Sequence, residues 1–144
     1  MTSVLTHLWF GNNKAVEAAN FYAARTEPDS SVAEVVEVTV AGHEVVGLNA
    51  GPEFHLNEAF SFYLRVDGQD EVDQYWEILT ADGGEPGPCG WCKDKFGVSW
   101  QVIPRELEEL SGDYTTTANQ RVCQAMLKMG KIDVAELQAA YNGT

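Results

Sequence analysis

Cys89-Gly90-Trp91-Cys92-Lys93-Asp94-Lys95-Phe96-Gly97-Val98-Ser99-Trp100-Gln101-Val102-Ile103-Pro104 is the stretch that decides the fold. Two strand-like runs flank Lys93 to Gly97, and Gly97 is free to take the positive φ that a hairpin turn often needs. In the second run Val98, Trp100 and Val102 point one way, while Ser99, Gln101 and Ile103 point the other. Pro104 ends the run, because proline has no N–H to give to a ladder. The pattern predicts a strand with one face for a core and one polar face for a ligand.

Before this hairpin the same pattern occurs twice. Residues 3–10 read as a strand, with Leu8 and Phe10 on one face and Leu5, His7 and Trp9 on the other. Gly11-Asn12-Asn13 breaks it, and either asparagine is placed to cap a helix carrying Ala15, Ala18, Ala19 and Tyr22 on one side. Val32 to Val40 and Glu44 to Ala50 read as strands joined at Ala41-Gly42-His43, with Phe54-His55-Leu56 as a short edge strand. A strand from Ala59 to Val66 then leads to a helix capped by Asp70, with Val72, Tyr75, Trp76 and Leu79 at helical spacing. Gly83-Gly84 ends that helix, and Glu85 to Pro88 is a connection into the hairpin. Strand–helix–strands, repeated, predicts two similar units.

After Pro104 the chain turns helical. A short helix covers Arg105 to Leu110, and a second is capped within Thr115 to Thr117 and striped with Val122, Ala125, Met126 and Met129. A third opens on Asp133 and Glu136 as a capping box. Such short helices need a surface to pack on.

A chain of 144 residues, 44% hydrophobic, is expected to form one domain with a real core. Nine Lys and Arg against 22 Asp and Glu give a formal charge of -13, which argues against nucleic acid and anionic membrane surfaces as partners. No apolar run approaches the roughly 20 residues of a membrane helix, and Met1 to His7 lacks the order of a signal peptide. The expectation is a cytoplasmic protein whose three cysteines are reduced.

Several segments resemble one family: Leu8-Trp9-Phe10 with Ala18 to Tyr22, Leu48 to Pro52, Cys89 to Val102, and Gln120 to Asp133. The chain resembles the PhnB-like branch of the vicinal oxygen chelate (glyoxalase/bleomycin-resistance) superfamily, whose close relatives are catalogued as 3-demethylubiquinone-9 3-methyltransferases. The resemblance implies an α+β fold in which paired βαβββ modules form a half-open barrel, here residues 1–57 and 58–104, followed by a helical tail at 105–144. It also implies a homodimer and a ligand, in many members a divalent metal, in the concave face. The superfamily's metal-ligand positions fall near Leu5 (or His7), Gly47, Ser61 and Gln101. Leu and Gly have no ligating side chain, and neutral Gln101 is no base, so neither a metal nor any other cofactor is expected. A methyl donor is expected on a Gly-rich strand-to-helix turn, whereas Gly11-Asn12-Asn13-Lys14 has one glycine. Cys89 and Cys92 have the spacing of a zinc half-site or redox dithiol, but they lie in a strand without a second pair and read as packing residues.

What remains is a candidate ligand cleft of His7, Trp9, Asn49, Ser61, Tyr63, Arg65, Ser99 and Gln101, with Trp91 nearby. The leading expectation is a metal-independent dimeric protein that binds an organic small molecule, and the acidic charge suits a cationic one. The alternatives are an enzyme, of glyoxalase or dioxygenase type or the catalogued methyltransferase, and an interaction role for the tail with a vestigial cleft.

Overall fold

A computed structural model describes residues 2–23 and 35–144. The chain divides into two compact units, Met1–Leu56 and Asn57–Thr144.

The first unit contains β1 (Thr6–Phe10), α1 (Ala15–Tyr22), β2 (Val35–Val40) and β3 (His43–Asn49). The strand order is β1-β3-β2, with β1 parallel and β2 antiparallel to β3. Leu8 pairs with Gly47 and Phe10 with Asn49, so these four residues share a face. That face is the core: Leu8 and Phe10 are buried, as are Ala15, Ala18 and Ala19 of α1. A Cβ added at Gly47 would stand 3.2 Å from the Ala15 Cβ, so glycine here allows close approach of helix and sheet.

Two expectations for this unit are corrected, and one falls outside the described residues. Neither Asn12 nor Asn13 caps α1; the N-cap is Lys14, without a side-chain bond, and Asn49 Oδ1 on β3 accepts from the Ala15 N–H at 3.0 Å. Asn13 instead takes a left-handed φ of 59° at the turn before the helix. Residues 54–56 are not an edge strand; there the Phe54 ring packs edge-on against Trp9, ring centroids 4.9 Å apart. Val32 to Glu34 lie outside the described residues.

The second unit contains β4 (Phe62–Val66), α2 (Gly68–Thr80), β5 (Glu85–Pro86), β6 (Trp91–Lys93) and β7 (Ser99–Pro104), followed by α3 (Arg105–Ser111), α4 (Thr117–Met126) and α5 (Val134–Asn142). Its sheet order is β4-β7-β6-β5, with β4 and β7 parallel. The alternation in the hairpin is realised in the register: Phe62, Trp100 and Cys92 lie in one row, while Tyr63, Gln101 and Trp91 lie in another on the opposite face. Glu85-Pro86 pairs with β6 as a short edge strand where a connection was expected. Pro86 is tolerated there because the edge needs no N–H on its outer side. Helix α2 begins after Asp67, three residues before the expected cap Asp70, and the Glu71 carboxylate accepts from the Asp67 N–H at 2.7 Å.

The tail's caps are as the sequence predicts: Thr116 accepts from the Asn119 N–H and Asp133 from the Glu136 N–H. Val122 and Met129 join Ile103, Leu107, Ile132 and Leu137 in one buried cluster. Gln69 of α2 locks the tail in place, donating to the Ile132 carbonyl at 3.0 Å and accepting from the Val134 N–H at 2.8 Å. The Cys89 and Gly90 N–H groups donate to the Met129 and Gly130 carbonyls, both at 2.8 Å. The tail is therefore part of the second unit's core.

Candidate functional site

The polar face of the second sheet meets the tail around a cavity of about 590 Å³. Tyr63, Trp91 and Gln101 form the sheet side of its wall, with Cys89 and Ile103 beside them. Leu107 and Glu108 of α3, Tyr114 of the α3–α4 loop, and Cys123 and Met126 of α4 form much of the rest. Cys123, Met126 and Leu127 stand at positions i, i+3 and i+4 and so share the cavity side.

Among the described residues, Glu108 is the one charged side chain in this wall. Its Oε1 accepts from the Tyr63 hydroxyl at 2.8 Å and from Arg65 Nε at 2.9 Å. Those bonds, Arg65 first and then Tyr63, hold the Glu108 carboxyl below the usual glutamate range. Burial and then the bond to Glu108 raise the Tyr63 phenol, so it stays a proton donor at physiological pH. The wall thus offers a permanent carboxylate, aromatic surface from Tyr63, Trp91 and Tyr114, and two thiols.

The structure gathers part of the candidate cleft. Tyr63, Arg65, Trp91, Ser99 and Gln101 share one face, and Gln101 Nε2 donates to Ser61 Oγ at 3.0 Å. Ser99 is buried, and its Oγ has no hydrogen-bond partner among the described residues. It lines a separate pocket of about 140 Å³ with Trp91, Lys93, Glu58 and Glu85.

In the first unit, His7 and Trp9 share the face opposite Leu8 and Phe10, and Trp9 Nε1 donates to the Gly51 carbonyl at 2.8 Å. Asn49 lies on the other face, under α1, where it serves as the helix's borrowed cap. It therefore does not stand beside His7 and Trp9. Sequence reading missed Glu108, Tyr114, Cys123 and Met126. The signal was there for α4, whose stripe has a second side, but Glu108 is one of many glutamates in an acidic chain.

The residues at the superfamily's ligand positions do not fit a metal. Leu5 brings no donor, Gly47 lies under α1 away from the face of His7, and Gln101 and Ser61 bond each other. Among the described residues no three His, Cys, Asp or Glu side chains gather around a point. At the strand-to-helix turn, a Cβ added to Gly11 would come within 3.1 Å of the Gly51 carbonyl oxygen. That glycine serves chain packing.

The two thiols of the Cys89–Cys92 pair point to different places. Cys89 lines the cavity, whereas Cys92 is buried in the Trp100 row, its thiol pushed up to about 12 by burial and then by Asp94. At about pH 8, iodoacetamide is expected to modify Cys89 and Cys123 and to leave Cys92 intact in the folded protein, since the thiolate is the reactive form. Peptide mapping by mass spectrometry checks this, and rapid modification of Cys92 would contradict the burial.

The sequence profile of the family described as 3-demethylubiquinone-9 3-methyltransferase matches residues 2–103. The chain belongs to this family. A PhnB protein from Bacillus cereus is 25% identical, with a TM-score of 0.53 over 72% of this chain and 99% of its own. Protein PA1353 from Pseudomonas aeruginosa (18% identity, TM-score 0.57) and the fosfomycin resistance protein FosX from Listeria monocytogenes (16%, 0.52) also cover 72% of this chain, and 98% and 93% of their own. These are members of the glyoxalase/bleomycin-resistance fold, and the α+β architecture of this family member is theirs. No curated protein matches. No helix among the described residues is long and apolar enough to cross a membrane.

Proposed function

We propose that this vicinal oxygen chelate family member is a metal-independent, homodimeric binding protein for an organic small molecule, held between the second module's sheet and the C-terminal helices. The observation that carries this reading is the Tyr63–Gln101–Trp91 row facing a cavity of about 590 Å³, within the usual size range of ligand pockets. An aromatic wall with one carboxylate favours a ligand with an aromatic or alkyl body and a positive end. The formal charge of -13 adds long-range attraction for such a molecule.

Two isosteres test it: para-hydroxyphenyl-trimethylammonium and the neutral para-tert-butylphenol, titrated calorimetrically into the purified protein. Binding that weakens about tenfold or more on Trp91→Ala is the expected result, since one well-placed aromatic wall is worth about 1–2 kcal/mol. Native mass spectrometry of protein prepared without chelators should show a metal-free dimer. One divalent ion per subunit, or consumption of S-adenosylmethionine, would move the reading to an enzyme of the glyoxalase or methyltransferase type.

A further inference from the structure

We infer that the C-terminal helices, and not the paired-module scaffold that the family profile covers, select the ligand of this chain, with Glu108 on α3 reading its charge. The inference rests on the cavity being a binding site, as proposed above.

Two independent observations support it. The family match ends at residue 103, and the solved relatives are spanned over 93% to 99% of their own length while covering 72% of this chain. Those relatives therefore have almost nothing left to correspond to the remainder, about the length of the tail. Yet Leu107, Glu108, Tyr114, Cys123 and Met126, all beyond residue 103, stand in the cavity wall.

The tail also divides its tasks in space. It is fastened through Gln69, through the Met129 and Gly130 carbonyls, and through Ile132 and Leu137, both fully buried. None of these side chains lines the cavity. The wall residues Tyr114 and Leu127 are 62% and 65% exposed and lie outside the buried cluster. Tyr114 and Leu127 are thus free to differ without undocking the helices, whereas Leu107 belongs to both the wall and the buried cluster.

Glu108 is suited to read charge. Its Oε1 takes both protein bonds, and among the described residues Oε2 accepts no hydrogen bond. The pairing with Arg65 moderates the carboxylate's pull, so discrimination rests on the carboxylate and the aromatic rings together.

The test uses the full-length protein and the same two isosteres, reading the ratio of their dissociation constants. The wild type is expected to prefer the trimethylammonium compound by about tenfold. Glu108→Gln should bring the ratio within about twofold of unity, and Glu108→Asp should restore part of the preference. Gln101→Ala on the sheet should weaken both compounds alike and keep the ratio. If Gln101→Ala shifts the ratio and Glu108→Gln does not, selection belongs to the scaffold and the inference is overturned. If neither compound binds the wild type, the binding-site reading itself fails and the inference goes with it.

Discussion

Asp94→Ala should destabilise the folded protein by about 3–5 kcal/mol, measured as a shift in urea denaturation followed by tryptophan fluorescence. Asp94 is 2% exposed, although it sits in Lys-Asp-Lys-Phe-Gly, which reads as a solvated turn. Its Oδ1 accepts from the Phe96 and Val98 N–H groups at 2.9 and 3.0 Å, and its Oδ2 accepts from Trp100 Nε1 at 2.9 Å. One carboxylate thereby shapes the turn and pins it to the core tryptophan. Removing it strands three donors, of which the Trp100 indole is buried and packed 4.9 Å from the Phe62 ring centroid. Asp94→Asn keeps an uncharged acceptor for the Phe96 and Val98 N–H groups but turns an NH₂ toward the Trp100 Nε1–H, so about half the loss is expected. A loss under about 1 kcal/mol for the alanine variant would show that water replaces the carboxylate and that the turn is not held this way.

Ile132→Ala is the second large effect, expected at about 3–4 kcal/mol. The side chain is fully buried among Ile103, Leu107, Val122 and Leu137, and its backbone carbonyl receives the Gln69 amide. Truncation loses the burial of the removed carbons and leaves a void that the surrounding strand and helices cannot close. Because the same cluster seats the tail against the sheet, the cavity wall should loosen with it. Cys123 is therefore expected to react with iodoacetamide several-fold faster in this variant, while Cys92 remains protected. Unchanged Cys123 reactivity beside a full loss of stability would mean that the wall does not depend on this cluster.

The elements were legible where a period was clean. Val98 to Ile103 gave both the strand and its two faces, because strand parity is set by backbone geometry and needs no partner. The Thr116 and Asp133 caps were legible for a similar reason: each bond spans three residues. Asn49 shows the limit, since its amide caps a helix that starts 34 residues earlier, and no local pattern marks such a cap. Strand parity placed Asn49 opposite Val46 and Leu48 correctly, but which face of β3 joins His7 and Trp9 depends on the register with β1.

By itself the sequence determined the two strand–helix–strand units, the helical tail with two of its caps, and the polar row of Tyr63, Gln101 and their neighbours. These follow from interactions within a few residues and from the alternation of side chains along a strand. Only the tertiary structure decided that Asp94 is buried, that Cys89 and Cys92 part company, and that Glu108 and Tyr114 join Trp91 around one cavity. Those placements depend on contacts between distant parts of the chain, where packing and unpaired hydrogen-bonding groups, not periodicity, set the energy.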